Sequence, residues 1–243
     1  MKAIILAAGT ASRLRPLTSN TPKCLLKIGD RSLLQRSMDA LINNGITEFC
    51  IVTGYLHEQI ETFVKQQYPT LKVTFIYNAD YATTNNIYSL WLARPEAEDS
   101  DILLLDSDLV YDGKIIQRVL QAQNDNVLTL IRHELGEEEM KVVTDQTGNI
   151  VEISKTCSPQ AAAGESLGIE RMGTAYTHAL YQELEPMMNE EHLENTFYEL
   201  AFERLLRKGH TYQVLNVSDF FSCELDTVED FENAKQLIPA ELF

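Results

Sequence analysis

Two hydrophobic periods alternate along this chain. Lys2 to Ala7 is a short apolar run ending in small residues, the pattern of a strand buried on both faces that opens into a ligand loop. A loop from about Ala8 to Pro22 follows. Ser32 precedes Leu33, Leu34, Met38, Leu41 and Ile42, which recur at helical spacing, and Asn44-Gly45 closes the run, so a capped helix is predicted there. Phe49 to Thr53 reads as a strand, Glu58 to Gln67 as a helix, and Lys72 to Tyr77 as a strand. Asn86 to Arg94 reads as a helix ended by Pro95, and Asp101 to Leu105 as a strongly apolar strand. Strands alternating with helices imply an α/β protein with a doubly wound, mostly parallel sheet of Rossmann-like type.

The pattern changes after residue 125. Val127 to Ile131, Met140 to Thr144, Ile150 to Ser154 and Ile169 to Ala175 are short strand candidates, with a Gly148-Asn149 turn between two of them. They suggest a small antiparallel extension of the sheet. Helical stretches at His178 to Met188 and Asn195 to Lys208 follow, then strands near Tyr212 to Val217 and Ser222 to Leu225, and a last helix from Thr227. There is no internal repeat, and 243 residues, 44% of them hydrophobic, suffice for a single domain over 1–243.

Net charge narrows the partners. At −16 the chain is a poor candidate for nucleic acid or an anionic membrane, which are bound through clustered Lys and Arg. Residues 1–31 depart from this balance, with Lys2, Arg13, Arg15, Lys23, Lys27 and Arg31 against the single acid Asp30. That segment is suited to an anion. The apolar start is too short to cross a bilayer and lacks the features of a secretion signal, so a cytoplasmic location is expected. Cys24, Cys50, Cys157 and Cys223 have no paired spacing and read as reduced thiols.

The segment LAAGTASRLRPLTSNTPKCLLKIG puts Gly9 and small residues directly after the first strand, where backbone N–H groups can approach a nucleotide, and follows them with Arg13 and Lys23. It is neither a Walker loop nor a GxGxxG turn. The plain alternative is an ordinary βα loop with surface cations. A second feature is ILLLDSDLV, Ile102 to Val110, an apolar strand that ends in Asp106 and Asp108, two carboxylates on one side of the strand end. Ligands of open α/β sheets gather at such ends, so Mg²⁺ is expected here.

Lys2 to Gly29 resembles the sugar-phosphate nucleotidyltransferase family, whose signature is LAAG, two residues, Ser/Thr-Arg-Leu, Pro-Leu-Thr and Pro-Lys. Ala11 stands where many members have a second glycine. The resemblance implies that the backbone at Ala7, Ala8 and Gly9 holds base and ribose, that Arg13 and Lys23 hold the phosphates, and that Asp226 in CELDTVED joins Asp108 as a metal ligand. Arg13, Lys23 and Asp108 are then the expected catalytic set, with Asp106 beside the nucleotide. Residues 1–125 would form most of the nucleotide part and 126–243 the acceptor part.

Asn78 to Leu92, NADYATTNNIYSLWL, is similar to the same stretch in the branch that makes CDP-linked alcohols and phosphonates, where sugar-specific thymidylyl enzymes have glycines. This implies CTP as donor and Asn85, Asn86 and Ser89 as contacts to cytosine and ribose. Thr84, Asn85 and Asn86 are also suited to capping the helix that follows. GESLGIERM, Gly164 to Met172, with Lys155 before it, resembles the same branch and places Lys155 or Glu165 near a phosphorylated acceptor such as phosphocholine. For a quaternary ammonium, Trp91, Tyr176, Tyr198 and Glu199 are candidates by residue type. Glu137, Glu138 and Glu139 read as a solvated face, and His133, His178, His192 and His210 have no metal or base spacing.

The reading is a Mg²⁺-dependent cytidylyltransferase acting on CTP and a small phosphorylated acceptor. Its rivals are a sugar-1-phosphate nucleotidyltransferase using UTP, dTTP or GTP, and a non-catalytic nucleotide-binding regulatory module.

Overall fold

β1 (Lys2–Ala7) is the central strand of a nine-stranded sheet in the computed structural model, which describes residues 1–242. After the loop and a two-strand hairpin, β2 (Lys27–Ile28) and β3 (Arg31–Ser32), the chain enters α1 (Leu33–Asn43). The Ser32 hydroxyl accepts the Gln35 N–H at 3.2 Å, and this cap and the apolar stripe both match expectation. β4 (Glu48–Thr53), α2 (His57–Gln67), β5 (Lys72–Tyr77), α3 (Asn86–Leu92), the one-turn α4 (Arg94–Ala97) and β6 (Ile102–Asp106) complete the doubly wound half.

β6, β1, β4 and β5 pair in parallel in that spatial order, with Ile5 registered against Ile51 on one side and Leu105 on the other. Alternate β1 residues feed two cores: Ile4 and Leu6 on one face, Ala3, Ile5 and Ala7 on the other. Pro95 does not end a helix as expected. It sits in the first turn of α4, where its missing N–H is no loss.

β7 (Leu109–Tyr111) and α5 (Lys114–Gln121) lead to the second half: β8 (Val127–Ile131), β9 (Lys141–Thr144), β10 (Ile150–Ser154), β11 (Gly164–Met172), α6 (Thr174–Asn189), α7 (Glu199–Arg207), β12 (Gln213–Asn216), β13 (Ser222–Glu224) and α8 (Val228–Leu237). β11 begins earlier than expected and stops at Met172, because Gly173 opens α6. β7 and α5 were absent from the sequence reading, although Ile115, Ile116 and Val119 are spaced for a helix and are buried.

The expected antiparallel extension is present and is built on β11. β11 joins β6, β8 and β9 antiparallel, and β9 joins β10, while β12 adds in parallel to β8. The register of β11 against β8 shifts between Ser166 and Glu170, and within that bulge Gly168 adopts φ +76. The bulge lets one strand serve the parallel sheet with its end and the antiparallel sheet with its start.

The end of α5 is closed from outside. Arg171 on β11 is buried and donates to the carbonyls of Val119 at 3.0 Å, Leu120 at 3.1 Å and Ala122 at 3.0 Å, and also to those of Asn124 and Asp125. A fixed fork of donors meets a helix terminus where only the Val119 carbonyl among these also takes the capping Ala122 N–H.

Candidate functional site

In chain order, the parallel strands β6, β1, β4 and β5 read 4-1-2-3, so the direction of winding reverses between β1 and β6. Clefts of doubly wound sheets open at that point, beyond the carboxyl ends of the strands. Two adjoining cavities of about 360 and 440 Å³ open here and share Arg13, Asn86, Asp106, Asp108, Lys155, Phe197, Glu224 and Asp226, forming one cleft large enough for two small substrates.

The smaller cavity is lined by Ala7, Ala8 and Gly9 as they leave β1, by Arg13 and Lys23, and by Asn85, Asn86 and Ser89 at the start of α3. The Asn85 side chain caps α3, as one of its two readings has it, by accepting the Asn86 N–H at 2.8 Å, and the residue also lines the cavity. Ser89 is buried, and its hydroxyl accepts from the buried Asn78 amide at 3.3 Å. Asn78, Tyr81 and Thr84, from the same stretch, also line this cavity, although Thr84 was expected only as a cap and the other two had no expected role. Gly54 makes room beneath: a Cβ there would lie 2.5 Å from the Ala8 carbonyl and 2.7 Å from the Tyr81 Cβ. Ala11 adopts φ 46, in the left-handed region where glycine is favoured.

Charge concentrates between the cavities. The Lys23 ammonium donates to Asp108 Oδ2 at 2.8 Å and to Asp226 Oδ1 at 2.9 Å, and Arg13 donates to Asp226 Oδ2 at 2.7 Å. Burial works against the charge on Lys23, yet the two aspartates hold its pKa above the ordinary lysine value. Burial likewise opposes the charge on Asp226, and Lys23 and Arg13 outweigh it, holding its pKa below the usual range. Glu224 completes the cluster: donor atoms of Asp108, Glu224 and Asp226 lie within 4.8 Å of one another. As a residue Glu224 is exposed, but its carboxylate faces the crowded cleft, where desolvation first and then Asp108 and Asp226 push it up to about 8. Asp108 Oδ1 is buried without a hydrogen-bond partner. An orphaned carboxylate oxygen among three hard oxygen donors fits a divalent cation such as Mg²⁺. Glu224 escaped the sequence reading, although it precedes Asp226 at the same spacing that drew attention to Asp106 and Asp108.

Asp106 ends β6 and faces both cavities. Desolvation, followed by Asp108, Glu199 and Glu224, raises its pKa well above the ordinary value, and its Oδ2 accepts from the Tyr198 hydroxyl at 3.0 Å. Gly168 packs against it, for a Cβ there would meet Asp106 Oδ2 at 2.7 Å.

The larger cavity is lined by Lys155, Glu165 and Glu199, together with His133, Met140, Ser166, Leu167, Gly168 and Phe197. His133 Nε2 lies 2.6 Å from Glu165 Oε2, and the Lys155 ammonium stands 4.7 Å from the centre of the Phe197 ring. Burial pushes the Glu199 carboxyl up to about 7, and its Oε2 has no partner. Three expectations fail. Tyr176 is buried away from the cleft, its ring 4.9 Å from that of Tyr212. Tyr198 is fully buried and reaches the site through Asp106. Trp91 packs against the core and Arg94. All three carry large apolar area, and the core claimed it. Glu138 lies on the solvated face expected for it and, with the half-buried Glu139 and with His133, borders this cavity.

Residues 2–153 match the nucleotidyl transferase family model. A choline-phosphate cytidylyltransferase of Haemophilus influenzae is 30% identical over 239 residues, covering 97% of this chain and 97% of that protein. The chain belongs to the nucleotidyl transferase family. A choline-phosphate cytidylyltransferase of Streptococcus pneumoniae is 41% identical over 109 residues, a match that covers 45% of this chain and spans 46% of that relative's length. The solved CTP:phosphocholine cytidylyltransferase of Streptococcus pneumoniae superposes with a TM-score of 0.82 at 24% identity, covering 98% of this chain and 99% of that one, and it shares the fold.

Proposed function

We propose that this protein transfers a cytidylyl group from CTP to a small phosphorylated or phosphonylated acceptor and releases pyrophosphate. The observation that carries the reading is the cleft itself: a small-residue loop with Arg13 and Lys23 on one side, a carboxylate-lined pocket on the other, and Asp108, Glu224 and Asp226 at the junction. The relatives named as choline-phosphate cytidylyltransferases support cytidine as the base.

An oxygen of the acceptor phosphate attacks the α-phosphorus of CTP in line. The new P–O bond forms as the bond from the α-phosphorus to the bridging oxygen breaks, and pyrophosphate leaves with that electron pair. The attacking oxygen is already ionised, so no general base is needed. Arg13 and Lys23 stabilise the charge that builds on the phosphoryl oxygens and the leaving group. The backbone after β1 admits the nucleotide closely, and the amides of Asn78, Asn85 and Asn86 offer donors and acceptors to a pyrimidine edge. Asp108 and Asp226, with Glu224, would hold Mg²⁺, which supplies charge neutralisation at the phosphates. On the acceptor side, Glu199, Glu165 and the Phe197 ring suit a cationic end, and Lys155 suits the acceptor phosphate.

Pyrophosphate release tests the reading, measured with Mg²⁺ across CTP, UTP, dTTP, ATP and GTP, each with phosphocholine, aminoethylphosphonate, inositol phosphate and glucose phosphate. Turnover confined to CTP is expected. Turnover with UTP, dTTP or GTP and glucose phosphate alone would move the protein to the sugar branch, and CTP binding without release would make it a regulatory module.

A further inference from the structure

Lys141 is buried, at 1% exposure, and has no carboxylate partner among the described residues. Its ammonium donates instead to three backbone carbonyls, those of Gly136 at 3.0 Å, Glu139 at 3.2 Å and Glu137 at 3.4 Å. A buried lysine is costly unless its donors are used, and here they are spent on one loop. That loop, residues 132–140, joins β8 to β9 without helix or strand and holds four of the chain's acids, Glu134, Glu137, Glu138 and Glu139. It also closes on itself, with the Gly136 N–H donating to Glu139 Oε2 at 2.8 Å. The three bonds from Lys141 fix the backbone that carries Glu137, Glu138 and Glu139.

The loop is tied to the acceptor pocket at its far end. Lys141 is registered opposite Glu165, and the Ser166 N–H donates to the Met140 carbonyl at 2.9 Å. Glu138 and Glu139 line the same cavity as Glu199, whose buried Oε2 lacks a partner and marks where a cationic group is wanted.

We propose that Lys141 is a positioning residue for the acceptor: its ammonium gathers residues 133–140 into a ring that sets Glu138 and Glu139 at the pocket mouth, selecting acceptors with a cationic end. This rests on the cytidylyl-transfer reading.

The test uses Lys141→Met, Lys141→Arg and the surface double variant Glu138→Gln, Glu139→Gln. Acceptors are phosphocholine against its neutral carbon isostere, and aminoethylphosphonate against propylphosphonate. In Lys141→Met, KM for the cationic acceptors rises about 10-fold while KM for CTP and for the neutral isosteres stays within about 2-fold, and Lys141→Arg recovers part of the loss. The double variant gives the same selective rise and serves where Lys141→Met does not fold. Unchanged acceptor KM, or an equal rise for cationic and neutral acceptors, overturns the proposal. Hydrogen exchange over residues 133–140 reads the ring without turnover: faster exchange in Lys141→Met supports it, and unchanged protection overturns it. Silence of the wild-type enzyme with every acceptor would sink the cytidylyl reading, while the exchange measurement still decides the role of Lys141.

Discussion

Asp108 presents two different oxygens to the cleft, one paired with Lys23 at 2.8 Å and the other buried and unpaired. Asp108→Asn keeps the shape and removes the charge, so a folded protein with kcat reduced at least about 100-fold is expected. Circular dichroism and pyrophosphate release check the two halves of that statement, and normal turnover would remove Asp108 from the mechanism. Glu199 gives a pH signature. Its carboxyl titrates near 7, so KM for a cationic acceptor should fall as pH rises through that value and the carboxylate forms, with Lys155 close by setting the limit of the effect. Glu199→Gln should flatten this profile. Ala11 was visible in the sequence as a departure from glycine, and its φ of 46 shows that the left-handed geometry persists. Ala11→Gly relieves about 1 kcal/mol of strain but returns about 0.4–1 kcal/mol of chain entropy, so a thermal melt should move little. Chemistry and spacing singled out Asp108 and Lys23, and the family resemblance added Asp226; the fold brings these three side chains together. The aromatics were not legible, because residue type alone does not separate a ring facing a ligand from one filling the core.

At the scale of elements, β11 shows what a local pattern cannot reveal. GESLGIERM was flagged by resemblance, but its strand was placed too late, since the bulge at Gly168 breaks the alternation that marks a strand. The bulge also aims the strand: Gly168→Ala would put a methyl 2.7 Å from Asp106 Oδ2 in a backbone region hostile to a side chain. We expect a loss of about 1–2 kcal/mol in stability and a lower kcat/KM, read by urea unfolding and turnover. Normal kinetics in Gly168→Ala would show that Asp106 has no fixed position to keep. Arg171 acts between elements, closing α5 from β11. Arg171→Ala should cost about 3 kcal/mol, and Arg171→Lys should restore only part, because a single ammonium does not reach the carbonyls the guanidinium fork spans. Helices such as α1 were readable from their cap and stripe, whereas α5 is only Lys114–Gln121 and was passed over.

For the whole molecule, the parallel half was legible because alternating strands and helices leave few topologies open. The antiparallel extension was anticipated, with β8 and β10 at their expected bounds, but the pairings of β11 with β6, β8 and β9 join distant segments and leave no local trace. The same assembly places several acids in or beside the core. Burial first, then neighbouring charge, holds Asp106 and Glu170 well above their ordinary values, and burial lifts Glu199 to about 7 against the pull of Lys155. The native state therefore keeps protons that the unfolded chain has released, so stability should fall as pH rises from the ordinary carboxyl range to about 7. Below that range the paired acids Glu61, Asp219 and Asp226, held low, lose their contribution. Melts across pH should peak in mildly acidic buffer, and a peak at alkaline pH would contradict this account.

The two bonds from Lys23 mean that the cleft carries its own counter-ion. The negative charges of Asp108 and Asp226 are met by Lys23 and Arg13, tethered cations that cannot be dialysed away, so the resting fold does not depend on dissolved ions. A chelator should leave the melting temperature where it was. Lys23→Met removes that tethered charge, so the melting temperature of this variant should rise more steeply with added Mg²⁺ than the parent's does.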